Sequence, residues 1–261
     1  MKRADLYFAL VVAAFFVPFF LSRTLYEGYQ SFNAAHGMVM SFVKFSILST
    51  MGELLGLRIS SGHYFRKGFG VLPRAVVWGF LGMGINMAFV VFSTGVPAFA
   101  AYLGVDNPAA IMEGAFSWGK VLLAFAISVT MNSIFAPVFM TFHKITDTHI
   151  LMTGGTLRGL FSPIPMGEIM QRLNWRVQWE FVFKKTIPLF WFPAHTVTFL
   201  LPGEVRVLFA ALLGVALGVI LAVAARKKWV SSNLVGINFQ YSLYIPFFAS
   251  WQTITYKCWH V

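Results

Sequence analysis

The basic residues of this chain lie mostly in every second connector between long apolar stretches. Each apolar stretch has about the length that a helix needs to cross the hydrocarbon of a membrane, roughly 20 residues. The pattern therefore predicts an all-α fold, a polytopic transmembrane helix bundle of about six spans. The predicted spans are residues 6–21, 37–57, 75–103, 118–142, 186–202 and 204–225.

The connectors that would lie on the same side of the membrane as the N-terminus, together with the N-terminus itself, hold 15 of the 20 Lys and Arg residues. By the positive-inside rule, this side faces the cytoplasm or, in an organelle, the matrix. The asymmetry also accounts for the net charge of +11, so contacts with anionic lipid explain the basic character better than nucleic-acid binding does. The 15 residues are Lys2, Arg3, Arg58, Arg66, Lys67, Arg74, Lys144, Arg158, Arg172, Arg176, Lys184, Lys185, Arg226, Lys227 and Lys228.

The composition agrees with a membrane environment. Only 11% of the residues are charged and 58% are hydrophobic, whereas water-soluble domains carry roughly 25% charged residues. The first 21 residues lack a small-residue cleavage site, so we interpret them as a membrane helix rather than as a signal peptide. The single cysteine, Cys258, excludes an internal disulfide. No Cys or His spacing indicates a metal or haem site, and we expect no cofactor.

The second half of the longest connector, residues 144–185, predicts an amphipathic helix. Apolar side chains recur there every four residues and charged side chains fall on another face, which is typical of a helix lying in the membrane interface. A helix packed on the protein itself fits the pattern equally. We expect the basic side chains to contact lipid or a partner subunit. The apolar positions are Ile169, Leu173, Val177 and Phe181, and the basic positions are Arg172, Arg176, Lys184 and Lys185.

Ionisable side chains inside the apolar spans are costly in hydrocarbon and need a partner, a water path or a short route to the interface. Lys44 and Glu53 lie nine residues apart on one helix, so they point to nearly opposite faces and do not pair. Lys44 is close enough to the outer end of its span to reach the interface. Glu53 is expected to pair with Arg58 or Arg66 on the basic side.

A second interpretation is that the polar residues of the spans border one shared polar path. Prolines within the fourth and fifth spans remove backbone hydrogen bonds, and broken helices line cavities more often than intact ones do. Taken singly, however, Asn and Ser side chains favour hydrogen bonding between helices. The residues that would border such a path are Lys44, Glu53, Asn86, Asn132 and His195.

Two further features concern helix packing. Pro202 and Gly203 leave room only for a tight outer hairpin, so the fifth and sixth spans are expected to be antiparallel neighbours. Small residues let helix backbones approach closely, either within the chain or between two copies. They are Gly79, Gly82 and Gly84 in the third span and Gly214 and Gly218 in the sixth.

The segment that begins at Trp191 resembles the Mpv17/PMP22 family of small organellar membrane proteins. That family carries a Trp-Pro, Gln, Asn-Phe, Val-Pro and Arg signature leading into its last helix. Pro202 and Arg206 keep the family's spacing. His195 stands where Gln is usual, and Thr198 stands where Asn is usual.

Two more elements occur in the family's order. One resembles its Gly-Asp element with Glu in place of Asp, and the other resembles the Arg, Gly, Pro, Trp pattern that starts its next helix. The family's Asp-Gln pair before a proline in the middle helix is replaced, so that acidic group is missing. The first element is formed by Gly52 and Glu53, and the second by Arg66, Gly70, Pro73 and Trp78. Met131 and Asn132, before Pro137, stand where the family has Asp-Gln.

The resemblance covers roughly residues 40–225 and implies three parts. An additional N-terminal helix and outer connector occupy 1–36, an Mpv17-like membrane domain occupies 37–228, and an aromatic tail occupies 229–261. Within the tail, 234–251 fits a seventh span, an interfacial segment or a docking arm. Family members are helical proteins of mitochondrial inner or peroxisomal membranes, and some are described as pore-forming. The functional positions that the resemblance implies are Glu53, Asn132, His195 and Arg206.

Two functions fit the sequence. The favoured one is a non-catalytic accessory subunit of a larger membrane complex, because the segments outside the family-like domain are rich in aromatic residues that suit buried contacts. The alternative is a pore or small-solute channel. A membrane enzyme is not expected, since no nucleophile, base and orienting group stand together. The expected location is the mitochondrial inner membrane with the basic loops in the matrix, and a bacterial inner membrane or a peroxisomal membrane is the alternative.

Overall fold

All regular elements in the described part of the chain are helices. The computed structural model describes residues 3–234, and residues 224–234 by their backbone alone. The elements are α1 (Arg3–Leu21), α2 (Arg23–Ala35), α3 (Gly37–Ser61), α4 (Val71–Tyr102), α5 (Pro108–Glu113), α6 (Trp118–Met152), α7 (Leu157–Leu160), α8 (Met166–Arg172), α9 (Trp175–Val177), a π-helix (Gln178–Trp191), α10 (Phe192–Leu200) and α11 (Gly203–Leu234). The predicted all-α fold is confirmed. Residues 235–261, which hold most of the predicted tail and its candidate seventh span, lie outside the described residues.

Five of the helices are long and apolar enough to cross a membrane: α1, α3, α4, α6 and the part of α11 that covers Gly203–Val223. They coincide with five of the six predicted spans, so the chain is a polytopic helical bundle. The remaining predicted span, 186–202, coincides with the end of the π-helix and with α10. These two elements follow each other without a break and give 23 consecutive helical residues.

The helices close into a ring. The central helix α3 contacts α4 on one side and α11 on the other, while α6 contacts α4 and α10, and α10 contacts α11. The last contact is the predicted antiparallel hairpin, because α10 ends at Leu200 and α11 begins at Gly203. Inside the ring lies an apolar core that includes Phe45, Ile127 and Phe199.

Small residues bring the helices of this ring close together. A Cβ on Gly82 of α4 would lie 2.5 Å from the Cβ of Phe45 on α3, and a Cβ on Gly52 of α3 would lie 3.2 Å from the Cα of Val215 on α11. Two uses were predicted for the small residues: packing within the chain and contact between two copies. At Gly82 the close approach is to Phe45 of the same chain, so this glycine serves packing within the chain.

The helix α6 is longer than the sequence pattern predicted. The predicted fourth span ended at residue 142, but α6 has 35 residues and ends at Met152. Residues 143–152 contain no Gly or Pro, so nothing in them stops the helix before Gly154 and Gly155, both of which have positive φ. The predicted start of the connector at 144 is wrong, and its first polar residues belong to the bundle interior.

The predicted amphipathic helix is present in pieces. The backbone is extended at Leu173, and the side chain of Asn174 then accepts a hydrogen bond from the amide of Val177, which starts a new helical segment. Ile169 and Leu173 are buried against Ile145 of α6. The apolar face of this segment therefore packs on the protein itself, which was the second of the two interpretations.

The predicted outer connector after the first span is largely helical. Ser22 caps α2 by accepting a hydrogen bond from the amide of Leu25. The ammonium group of Lys44 on α3 donates to Asn33 Oδ1 at 2.5 Å and lies 5.5 Å from the ring centre of Tyr29. Lys44 thus fastens α2 to the outer part of α3.

The first helix, α1, is attached to the bundle near its N-terminal end. Arg58 of α3 forms two hydrogen bonds with the carboxylate of Asp5, at 2.6 and 2.9 Å. The ring of Phe8 stacks on Tyr64 at 4.6 Å. Partial burial and the neighbouring Asp5 carboxylate raise the pKa of Tyr64, so its hydroxyl remains a donor to Asp5 Oδ1. No residue of α1 is buried.

Two loops that were predicted to share the basic side meet at one end of the bundle. Gly155 has φ +70°, and a Cβ there would lie 2.6 Å from the carbonyl oxygen of Gly68. The loop after α6 therefore packs directly on the loop that precedes α4, as an alternating arrangement of spans requires.

We expect Gly155→Ala to lower the thermal midpoint of the detergent-solubilised protein more than Gly154→Ala does. Both positions have positive φ, which costs a non-glycine residue about 1–3 kcal/mol, but only at Gly155 does the added Cβ also meet backbone atoms. Gly84→Ala, at a helical site with open space, should leave the midpoint unchanged or slightly raised. Equal midpoints for Gly154→Ala and Gly155→Ala would contradict the contact between the two loops.

Candidate functional site

The helix ring encloses a narrow cavity with a volume of about 80 Å³. All five helical segments of the ring contribute to its wall, which is mostly aromatic and aliphatic. Five polar side chains interrupt this apolar wall. They are Ser49, Glu53, Asn132, His143 and His195.

Six residues were candidates for such a cavity: the five of the predicted polar path and Arg206, which the family resemblance adds. Three of them line this cavity: Glu53, Asn132 and His195. They come from α3, α6 and α10, which are far apart in the sequence. Their convergence is what the predicted shared path requires.

The other three, Lys44, Asn86 and Arg206, are not part of the wall of this cavity. Lys44 points away from Glu53 and bonds to α2, because nine residues separate the two on one helix. Asn86 lies at a partly exposed site, where its amide donates to Met38 Sδ at 3.3 Å. Arg206 donates to the carbonyl oxygens of Leu201 and Phe199 at 2.9 and 3.2 Å, so it satisfies carbonyl groups at the C-terminal end of α10.

The inner end of the cavity is built on Arg74, whose side chain is 1% exposed. Its Nη1 donates to Glu53 Oε2 at 2.7 Å and to Asp147 Oδ1 at 2.5 Å. Its Nε donates to the carbonyl oxygen of Phe69 at 2.8 Å. One guanidinium group thereby joins α3, α4 and α6. The predicted pairing of Glu53 with Arg58 or Arg66 is wrong for Arg58, which bonds Asp5 instead.

The second oxygen of Glu53 faces the cavity. Oε1 accepts a hydrogen bond from Trp78 Nε1 at 2.8 Å and lies 3.5 Å from His143 Nε2. The same His143 nitrogen lies 4.0 Å from Asp147 Oδ1, and the rings of Trp78 and His143 are 4.4 Å apart. His143 is therefore held between two carboxylates and an indole ring.

Glu53, His143 and Asp147 resemble a set of metal ligands, because their donor atoms lie within 4.8 Å of one another and all three are buried. Arg74 already bonds both carboxylates, however, and the buried ammonium group of Lys144 interacts electrostatically with both. With Arg74 and Lys144 charged, the two carboxylates are balanced, and a divalent ion would add two uncompensated buried charges. The charge balance favours an ion-pair cluster over a metal centre.

The outer end of the cavity is formed where α6 meets α10. Asn132 donates to the carbonyl oxygen of Ser128 at 2.8 Å, and Ser128 Oγ donates to the carbonyl oxygen of Phe192 at 2.8 Å. The His195 ring stacks on Trp191 with centroids 5.0 Å apart. Trp191 Nε1 is buried and has no hydrogen-bond partner among the described residues. At this end the cavity wall therefore contains the side chains of Asn132, His195 and Trp191, which carry an amide, an imidazole and an indole group.

Between its two polar ends the cavity is apolar. On α6, the wall residues between Asn132 and His143 are Phe135, Ala136, Phe139 and Met140. Eleven residues separate Asn132 from His143, which corresponds to about 16 Å along a helix. The cavity thus has polar groups at both ends of this stretch of α6, and Ser49 adds a hydroxyl about one turn of α3 from Glu53.

Three residues of the inner cluster were missed by sequence reasoning: Arg74, His143 and Asp147. Arg74 was assigned to a connector, and the other two lay beyond the predicted end of the fourth span. The available signal was the spacing of His143 and Asp147, four residues apart in a stretch without a helix breaker. Asp147 also supplies a carboxylate from the middle helix, although ten residues after Pro137 rather than before it.

The basic residues predicted to contact lipid or a partner lie on α8, α9 and the π-helix. Arg172 bonds Glu168, and Lys184 Nζ lies 3.0 Å from Glu180 Oε1. Arg172, Arg176 and Lys184 are exposed, and Lys185 is half-buried. The charges of Arg172 and Lys184 are thus partly neutralised by local pairs. Contact of the four basic residues with lipid or a partner stays a prediction.

Comparison with known proteins found no match to this chain among family models, curated proteins or solved structures. The resemblance to the Mpv17/PMP22 family therefore stays a prediction that rests on the motifs described above.

We expect Arg74→Ala to destabilise the protein strongly, because it leaves two buried carboxylates without their shared partner, a loss of about 3–5 kcal/mol for a broken buried ion pair. Thermal unfolding in detergent measures the change. Arg23→Ala removes an exposed Arg–Glu pair and should leave the midpoint almost unchanged.

The double change Arg74→Met and Asp147→Asn removes one charge of each sign, leaves Glu53 and Lys144 to balance each other, and should recover part of the lost stability. If Arg74→Ala unfolds at the same temperature as Arg23→Ala, the guanidinium group does not hold the three helices together.

Proposed function

We propose that this chain is a non-catalytic membrane protein whose helix ring encloses a conduit for very small species. The observation that carries the proposal is the convergence of Glu53, Asn132 and His195 on one cavity within the ring. Ionisable and amide groups inside a membrane bundle commonly mark the route of a transported species.

The dimensions of the cavity limit what it passes. A buried water molecule needs roughly 10–15 Å³ of such space, so a volume of about 80 Å³ holds about six. Spread over about 16 Å of helix length, that volume accommodates a single file of water-sized molecules. A cavity of this volume therefore fits water or species of similar size.

The arrangement corresponds to a closed conduit. At the inner end, Arg74 bridges the carboxylates of Glu53 and Asp147. Beyond the outer end, Ala124, Ile127 and Phe199 are fully buried in the apolar core. Between these two ends, the rings of Phe135 and Phe139 form part of the cavity wall and restrict the passage.

Two further arguments from the sequence support this assignment. The resemblance to a family with pore-forming members retains a carboxylate at Glu53, and Asp147 brings a second carboxylate to the same cluster. The distribution of basic loops fits a mitochondrial inner membrane with those loops in the matrix, and equally a bacterial inner membrane or a peroxisomal membrane.

A second candidate function is that of an accessory subunit in a larger membrane complex. The observation that favours it is α1, which has 19 residues, none of them buried, and which is fastened near one end by the Asp5–Arg58 pair. α1 meets its own bundle along one face, through Asp5, Phe8 and Phe16. The exposed remainder of its surface suits contact with a helix of another subunit.

We expect liposomes that contain the purified protein to shrink faster in a hyperosmotic solution than empty liposomes do. Phe139→Ala removes a ring from the apolar middle section and should raise the osmotic water permeability severalfold. Phe142→Ala is the matched control, because Phe142 lies on the same helix, is 49% exposed and does not line the cavity. Stopped-flow light scattering measures both. If liposomes with the protein or with Phe139→Ala shrink no faster than empty liposomes, the conduit is refuted.

For the accessory role, we expect the chain to migrate in a complex well above its own mass of 29.2 kDa on native gels of mildly solubilised source membranes. Mass spectrometry of that band should identify the same co-migrating subunits in independent preparations. A stable monomer without a constant companion argues against this second function.

A further inference from the structure

We propose that the species carried by this cavity is the proton, taken up at the inner end by His143 between Glu53 and Asp147. The inference rests on the proposed conduit and names what that conduit carries.

The position of His143 is the first argument. Its Nε2 lies 3.5 Å from Glu53 Oε1 and 4.0 Å from Asp147 Oδ1, and its side chain forms part of the cavity wall. An imidazole accepts and releases a proton near neutral pH and can do so through either ring nitrogen. At this position the ring connects the cavity with both buried carboxylates.

The charges around His143 are the second argument. They come from three helices: Glu53 from α3, Arg74 from α4, and Lys144 and Asp147 from α6. Two positive and two negative groups balance when His143 is neutral. One added proton on His143 adds a single positive charge, half of what a divalent ion would add, at 3.5 and 4.0 Å from the two carboxylate oxygens. A sodium or potassium ion at the same carboxylates would have to displace the hydrogen bonds of Arg74.

The middle section of the cavity is the third argument. A metal cation that enters a narrow passage must exchange its hydration shell for ligands from the wall. Phe135, Ala136 and Phe139 offer no such ligands, so the desolvation cost is not met there. A proton avoids this cost, because it passes along a file of water molecules by exchange of hydrogen bonds and no hydrated ion has to move.

The outer end supplies a second imidazole. His195 lines the cavity, and its Nδ1 lies 3.3 Å from Thr198 Oγ1. A proton that enters the file beside His195 and Asn132 travels about 16 Å along α6 and is bound at His143. It leaves when His143 passes it to water on the basic side as the Arg74 bridge opens.

The test uses the full-length protein in liposomes that contain a pH-sensitive dye. A potassium gradient with valinomycin imposes a membrane potential, and the rate of proton entry is recorded. We expect entry at least tenfold faster than in empty liposomes, and His143→Gln should abolish the increase. His149→Gln is the matched control, because His149 is an equally buried histidine of α6 that bonds the carbonyl oxygen of Gly159 and does not line the cavity.

A measurement on the unaltered protein does not depend on the folding of any variant. In planar bilayers, the reversal potential should follow the pH gradient and stay constant when sodium or potassium gradients are changed. A reversal potential that follows sodium or potassium overturns the assignment of the proton.

The remaining outcomes separate the two proposals. Water permeability without proton entry overturns the proton assignment and leaves the conduit in place. Loss of both refutes the conduit itself. Proton entry that survives His143→Gln, or that is lost equally in His149→Gln, overturns the role given to His143.

Discussion

The structure depends on one buried interaction, the guanidinium group of Arg74 between the carboxylates of Glu53 and Asp147. A single carboxylate would be costly inside a membrane bundle, and so would a single arginine. Together with Lys144, these groups balance their charges, and their hydrogen bonds fix α3, α4 and α6 relative to one another. The inner wall of the cavity, including the position of His143, follows from that arrangement.

Elements that depend on hydropathy, turn chemistry or helix geometry were predictable from the sequence. Five of the six spans, the tight hairpin at Pro202 and Gly203, and the opposite orientation of Lys44 and Glu53 follow from apolar run length, turn chemistry and helix geometry. The convergence of Glu53, Asn132 and His195 was also expected, because polar residues in apolar spans turn towards the interior of a bundle.

The elements that were missed share a physical cause. A hydropathy scale gives each side chain its own cost of transfer into hydrocarbon. It does not include the gain from pairing with an oppositely charged side chain. His143, Lys144 and Asp147 therefore read as the end of a span, although pairing with Arg74 and Glu53 makes them part of the interior. Leu173 and the π-helix both pack against α6. Local helix propensity does not include such contacts between distant segments. Asn86 was expected at the cavity from its residue type, and Arg206 from the family resemblance. The contacts of Asn86 with Met38 and of Arg206 with the end of α10 hold both side chains elsewhere.

The chain positions of the inner cluster bear on how the protein enters its membrane. Glu53 and Arg74 are 21 residues apart on the consecutive helices α3 and α4, so a hairpin of these two helices inserts with its acid already neutralised. Lys144 and Asp147 are three residues apart on α6, and this helix too brings one charge of each sign. Each of these two units thus brings its buried acid together with a buried base. Neither acid has to enter the lipid without a base on the same unit, where it would be costly.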